Sequence, residues 1–136
     1  MDKITTIKSV NGCNIDEDKE ALDDQAIVGV ETDIVTYTKH VDAYKAQIQN
    51  GTKNPEAFLR ASNFQLAQIT KLLDVLDPDA FFLRVYTGVR ENGETYQFIM
   101  PAKRDGSTMV GLAVDDCCGH PPNKQNFKKD VLLKIP

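Results

Sequence analysis

Apolar positions fall into two regimes that meet near Pro78. Upstream the spacing is helical. Ile27, Val30, Ile34, Tyr37, Val41, Tyr44 and Ile48 follow one another at intervals of 3 and 4, a heptad seam sustained for three heptads. That seam predicts one long helix over residues 16–49, stopped at Asn50-Gly51. The stretch "IVGVETDIVTYT" pulls the other way, because β-branched residues and Gly29 favour a strand. Strict alternation fails at Val35 while the seam runs on to Ile48, so the helix is the stronger expectation, with a break at Gly29 as its weak point. A second helix is expected to start at Asn54-Pro55, where Asn54 suits the N-cap and Pro55 the first helical turn. Leu59, Ser62, Leu66, Ile69, Leu73 and Leu76 again step by 3 and 4, Phe58, Leu72 and Val75 widen the stripe, and Pro78 ends it. The short connection predicts an antiparallel helical hairpin.

Downstream the period is two. Phe81, Leu83, Val85, Thr87 and Val89 alternate with Phe82, Arg84, Tyr86 and Gly88, and the first set is expected to face inward. Asn92-Gly93 is a hairpin turn, and the return strand presents Tyr96, Phe98 and Met100. A second turn at Asp105-Gly106 leads to Val110, Leu112 and Val114, and "DVLLKIP" offers a fourth strand through Val131, Leu133 and Ile135. The predicted class is α+β: a long N-terminal helical hairpin packed on a C-terminal antiparallel β-meander of three to five strands. Residues 1–15 form an arm or edge strand, 16–77 the hairpin, and 78–136 the meander and tail, in one domain of 136 residues. A helix of some 30 residues would run roughly 45 Å, against about 20–25 Å for a strand of 6 to 8 residues. Such a helix outruns its sheet and leaves part of its seam for another chain.

Composition adds bounds. Hydrophobic residues make up 41% and charged residues 26%, ordinary values for a soluble globular chain. No apolar run approaches the roughly 20 residues that span a bilayer, and "MDKITTIKSV" lacks the apolar core of a signal peptide. Three cysteines, an odd count, argue for reduced thiols and a cytoplasmic setting. A net charge of -4 gives no general pull toward nucleic acid or a membrane, so neither is expected as a partner. Eight acids and one base lie between Asn14 and Asp33, read as a solvated face.

The densest chemistry is "DDCCGHPPN". Asp115 or Asp116 with Cys117, Cys118 and His120 supplies the ligand types of a zinc site, but adjacent thiols do not have the usual Cys-x₂₋₄-Cys spacing. A vicinal disulfide would suit redox switching, yet two aspartates beside the pair raise the thiol pKa and disfavour a nucleophilic thiolate. The preferred reading is a turn, with the cysteines packed as small hydrophobes and the acids and His120 facing water. Nucleotide, phosphate-loop, hydrolase and zinc-protease signatures are missing, and no cofactor is expected. The alternation puts Phe82, Arg84, Tyr86, Gln97, Ile99, Met109 and Lys134 on an open sheet face rich in the residue types of protein interfaces. The expected function is therefore a non-enzymatic interaction module, an adaptor, inhibitor or small assembly subunit. It would self-associate or bind a protein through Tyr37 and Tyr44 of the long helix and through Phe82, Arg84, Tyr86, Ile99 and Met109 of the sheet. The alternative is a small metal- or thiol-dependent enzyme or redox sensor at Cys117, Cys118 and His120.

Overall fold

A computed structural model describes residues 3–9, 27–51, 58–121 and 123–133. The chain runs β1 (Lys3–Ser9), β2 (Ile27–Asp33), α1 (Ile34–Asn50), β3 (Ala61–Asn63), α2 (Leu66–Val75), β4 (Ala80–Val89), β5 (Thr95–Lys103), β6 (Leu112–Asp115) and β7 (Cys118–His120), then a 3₁₀ turn at Lys124–Phe127. Five strands form one mixed sheet in the order β2-β1-β6-β5-β4, and β3 pairs with β7 in a small second sheet.

The long helical hairpin is not there. The β-branched run around Gly29 wins over the seam: residues 27–33 form β2, antiparallel to β1, with Ile7 opposite Gly29. Asp33 then caps α1, its carboxylate accepting from the Val35 N–H at 3.1 Å, so the helix starts where the seam is half spent. It ends as expected, at Gly51 in the left-handed conformation. The second helix starts at Leu66, and residues 61–63 ahead of it are a strand. The expected start at Asn54-Pro55 lies outside the described residues. The α2 N-terminus is closed by Gln68, whose side chain accepts from the Gln65 N–H at 2.9 Å.

Nor do the helices pair as a hairpin over one face. They lie on opposite faces of the sheet. Even-numbered positions of β4 and β5 face α1: Tyr86, Tyr96, Phe98 and Met100 pack with Ile4, Tyr37 and Ala113. Ile7, Ile99 and Val114 face the other way, against Leu72 and Ile69 of α2. Helix α1 reaches β4 because position 88 is glycine, where a Cβ would sit 2.9 Å from His40 Cβ.

The meander exists over β4, β5 and β6, but the sheet is mixed. β1 is neither an arm nor an edge. It sits between β2 and β6, parallel to β6, with Thr6 opposite Ala113. The hairpin turns at Asn92-Gly93 and Asp105-Gly106 are found, each glycine at a positive φ that side chains disfavour (87° and 92°). The phase of β4 is reversed from expectation. The register pairs Tyr86 with Phe98 and Arg84 with Met100, so the even residues turn to the core and Leu83 and Val85 turn away. No fourth meander strand forms at Val131 and Leu133, which lie in a turn, and Ile135 lies outside the described residues.

Candidate functional site

Two regions stand apart from ordinary core. The first lies at the end of β6. Asp115 Oδ1 accepts from the Tyr37 hydroxyl at 2.8 Å, and that hydroxyl is 2.7 Å from Thr6 Oγ1. Lys8 Nζ and Arg90 Nη2 stand 3.7 and 3.9 Å from Asp115 Oδ2. Asp116 is held from three sides. Ser62 and the Gln97 N–H each donate to Oδ2 at 3.0 Å, and Arg90 Nη2 lies 3.7 Å from Oδ1. Arg90 also stacks over the Tyr96 ring, 3.7 Å from its centre. The Tyr96 hydroxyl meets His40 Nδ1 at 2.7 Å, and His40 Nε2 meets Glu91 at 2.8 Å. Gln68 ties α2 to this end by donating to the Asp115 carbonyl at 2.8 Å.

Burial governs the protonation states here. It pushes the Asp116 carboxyl up to about 6, with the Gln97 N–H and Arg90 pulling back. It also drives the Tyr37 and Tyr96 phenols well above their ordinary values, the charge of Asp115 adding to both. Glu91 is lowered, chiefly by its bond to His40. Perturbed groups of this kind often mark catalysis. In this cluster each has its partners, and phenols held protonated are poor bases. The expectation that the two aspartates face water is wrong: both are buried, because Tyr37, Arg90 and Ser62 converge on them.

Cys117, Cys118 and His120 are not in an open turn. Residues 118–120 form β7, and the Cys117 N–H donates to the Asn63 carbonyl at 2.8 Å. The two thiols form no disulfide and stand 3.7 Å apart, and burial pushes Cys117 up to about 11, with Asp116 adding to the rise, and raises Cys118 as well. Such thiols give little thiolate at neutral pH. Cys118 packs as a buried apolar group, as expected. Asp115 points into the Tyr37 network instead, and among the described residues no three His, Cys, Asp or Glu side chains converge on a metal-sized site.

The second region is the outer edge of β4. Phe81, Phe82, Leu83 and Val85 are 57, 46, 42 and 53% exposed. The cause is the stagger of the helices: α2 lies over β1 and β6, α1 over the other face of β4, and nothing among the described residues covers Leu83 and Val85. The backbone there is also open. The Arg90 N–H donates to the Glu94 carbonyl, while the Gln97 and Pro101 carbonyls accept from Asp116 and Met109 on the β6 side. By antiparallel alternation, Leu83, Val85 and Thr87, opposite Pro101, Ile99 and Gln97, turn their N–H and C=O groups off the sheet. A bulge at Phe81 ends this open stretch, and its ring packs edge-to-face on Phe82 at 4.7 Å.

Of the other residues expected at an interface, Tyr37 is core and Tyr44 half-buried. Arg84 turns back to donate to the Gly106 carbonyl at 2.9 Å. Tyr86 stacks on Phe98 and bonds Thr108, Ile99 lies under α2, and Met109 is half-buried. Only Phe82 stays substantially open. Leu83 and Val85 are missed by the alternation argument, though "AFFLRV", apolar on both parities, was the signal for a strand with two apolar faces. A cleft of about 250 Å³ between α1 and the sheet, lined by Tyr37, Val41, Tyr86 and Thr108 among others, is below the roughly 300 Å³ at which small-molecule pockets begin. No protein-family model matches the chain, and no curated protein or solved structure matches it either.

Proposed function

We propose that this chain is a non-enzymatic interaction module that receives an extended strand on the free edge of β4. The observation that carries this reading is the coincidence, among the described residues, of outward, unpaired backbone groups on Leu83, Val85 and Thr87 with the exposed apolar side chains of Leu83 and Val85. Natural edge strands are usually blunted by lysine, proline or inward charge. β4 contains neither lysine nor proline, and its one charge, Arg84, is tied back to Gly106. Strand addition would satisfy both kinds of group at once, the main chain giving affinity and the side chains selectivity. The odd cysteine count suits a reducing, cytoplasmic setting.

The test is the size of the tagged protein in native extract, with and without Leu83→Lys plus Val85→Lys. A complex that falls to the mass of the single chain in the double variant, with circular dichroism unchanged, supports edge docking. A single-chain mass in the unsubstituted protein, or a complex that survives both lysines, overturns it.

A further inference from the structure

Resting on that reading of the β4 edge, we infer that the strand it receives is β4 of a second copy of this chain, paired antiparallel about a two-fold axis at Val85. Self-complementarity singles out this pairing. An isologous interface requires each residue to suit the one it meets across the axis. Every register centred on a residue keeps side chains of like parity together, and centres from Phe82 to Tyr86 overlap the open stretch. Centred on Tyr86, Leu83 meets Val89, which is already buried. Centred on Arg84, Thr87 meets Phe81, where the bulge breaks the ladder. Centred on Phe82, Val85 meets Asp79. Centred on Leu83, the pairing runs into the bulge at Phe81, where the ladder is already broken.

Centring on Val85 has none of these faults. Val85 meets Val85 of the partner, a β-branched pair favoured across strands. Leu83 meets Thr87 of the partner on the same face, so all three residues with outward N–H and C=O groups are used and the bulge is left outside. On the other face Arg84 comes opposite Tyr86 of the partner, each already held within its own chain, by Gly106 and by Thr108. Phe82 comes opposite Gly88 of the partner, which is already covered by His40 of its own chain. The five-stranded sheets then join edge to edge as ten strands, with both copies of α1 on one side. The only side chains on this stretch that change solvent contact much are already the exposed ones, so pairing needs no unfolding.

The experiment uses the purified full chain. Sedimentation at about 100 μM is expected to give twice the 15.2 kDa chain mass, returning to one chain with Val85→Lys. Register is read by disulfide trapping, with the unsubstituted chain in the same oxidant as the control for its own cysteines. Opposed residues in such a pair lie about 5.5 Å apart between Cα atoms, within disulfide reach. Val85→Cys should therefore cross-link to itself. Leu83→Cys should not, since its two copies would sit four residues apart along the strands, about 13 Å; mixed with Thr87→Cys it should. A single-chain mass at that concentration overturns the second copy. So does a dimer in which Leu83→Cys traps as readily as Val85→Cys. If the purified chain is single while the native complex still collapses with the two lysines, the edge takes a strand of different sequence, and only the self-pairing falls.

Discussion

The end of β6 and the edge of β4 make a useful pair. One gathers Asp115, Asp116, Arg90, Tyr37 and Tyr96, with the Asp116 carboxyl and both phenols raised by burial and nearly every polar atom engaged. At the other, the main chain and the apolar side chains are both left open by the described residues. Ionisable chemistry draws attention to the first. Satisfaction points to the second. A buried polar network whose members are paired fixes one arrangement of α1, β1 and β6 and has little left to offer a ligand. An unpaired strand edge still has its interactions to make.

The comparison breaks most sharply in stability. Phe98 lies beneath both Tyr37 and Tyr86, with ring centres 4.5 and 5.2 Å away. Phe98→Ala should cost about 3–5 kcal/mol in denaturant unfolding, the usual range for emptying a buried aromatic site. A loss under about 1 kcal/mol would mean that α1 does not seat on the sheet.

The next effect is pH-dependent. Asp116, pushed up to about 6, binds its proton more tightly folded than unfolded. Its contribution is therefore full below the unfolded value near 4 and is lost as pH rises toward 6 and beyond. The stability of the protein minus that of Asp116→Asn should fall by on the order of 2–3 kcal/mol between pH 4 and pH 7. A difference flat with pH would show the carboxylate to be as well solvated as an ordinary one. Taking the difference removes the opposite drift from Glu91, whose lowered value gives stability that fades on acidification.

Tyr37→Phe should cost about 1–3 kcal/mol, because Asp115 and Thr6 each lose a buried partner while the ring remains. Thermal unfolding monitored at the remaining tyrosines measures it, and a neutral result would assign the hydroxyl no part in holding α1. Smallest of all, Leu83→Ala in the dilute single chain should change stability by less than about 1 kcal/mol, since the side chain is half in water already. A core-sized loss there would mean that the edge is covered.

The local chemistry was legible in the sequence. Asn92-Gly93, Asp105-Gly106 and the stop at Gly51 are where turn and cap residues put them, and the alternation from 80 onward is strand. What could not be read was set by distant partners. Ile27, Val30 and Ile34 keep helical spacing by coincidence, and only β1 on the other side of the pairing decides for a strand. The phase of β4 depends on the length of its loop to β5, which pairs even residues with even ones. The burial of Asp115 and Asp116 depends on Tyr37 from α1 and on Ser62 from β3. Two acids in a row read as surface until their partners are known, and no spacing rule brings residues 37, 62 and 90 to one point. The edge residues Leu83 and Val85 were assigned inward because alternation gives two faces without saying which is covered.

The seat of β1 has a temporal consequence. Thr5, Thr6 and Ile7 pair on one side with residues 29–31 and on the other with Leu112, Ala113 and Val114. During synthesis at about 5–20 residues per second, β1 waits several seconds for the neighbour that completes its ladder. Until then Ile4 and Ile7 have no finished core to enter, and the centre of the sheet is the last part to close. Contacts this far apart along the chain slow folding in general. Here they also make two distant stretches of the message, rather than neighbouring ones, the parts on which the heart of the molecule depends.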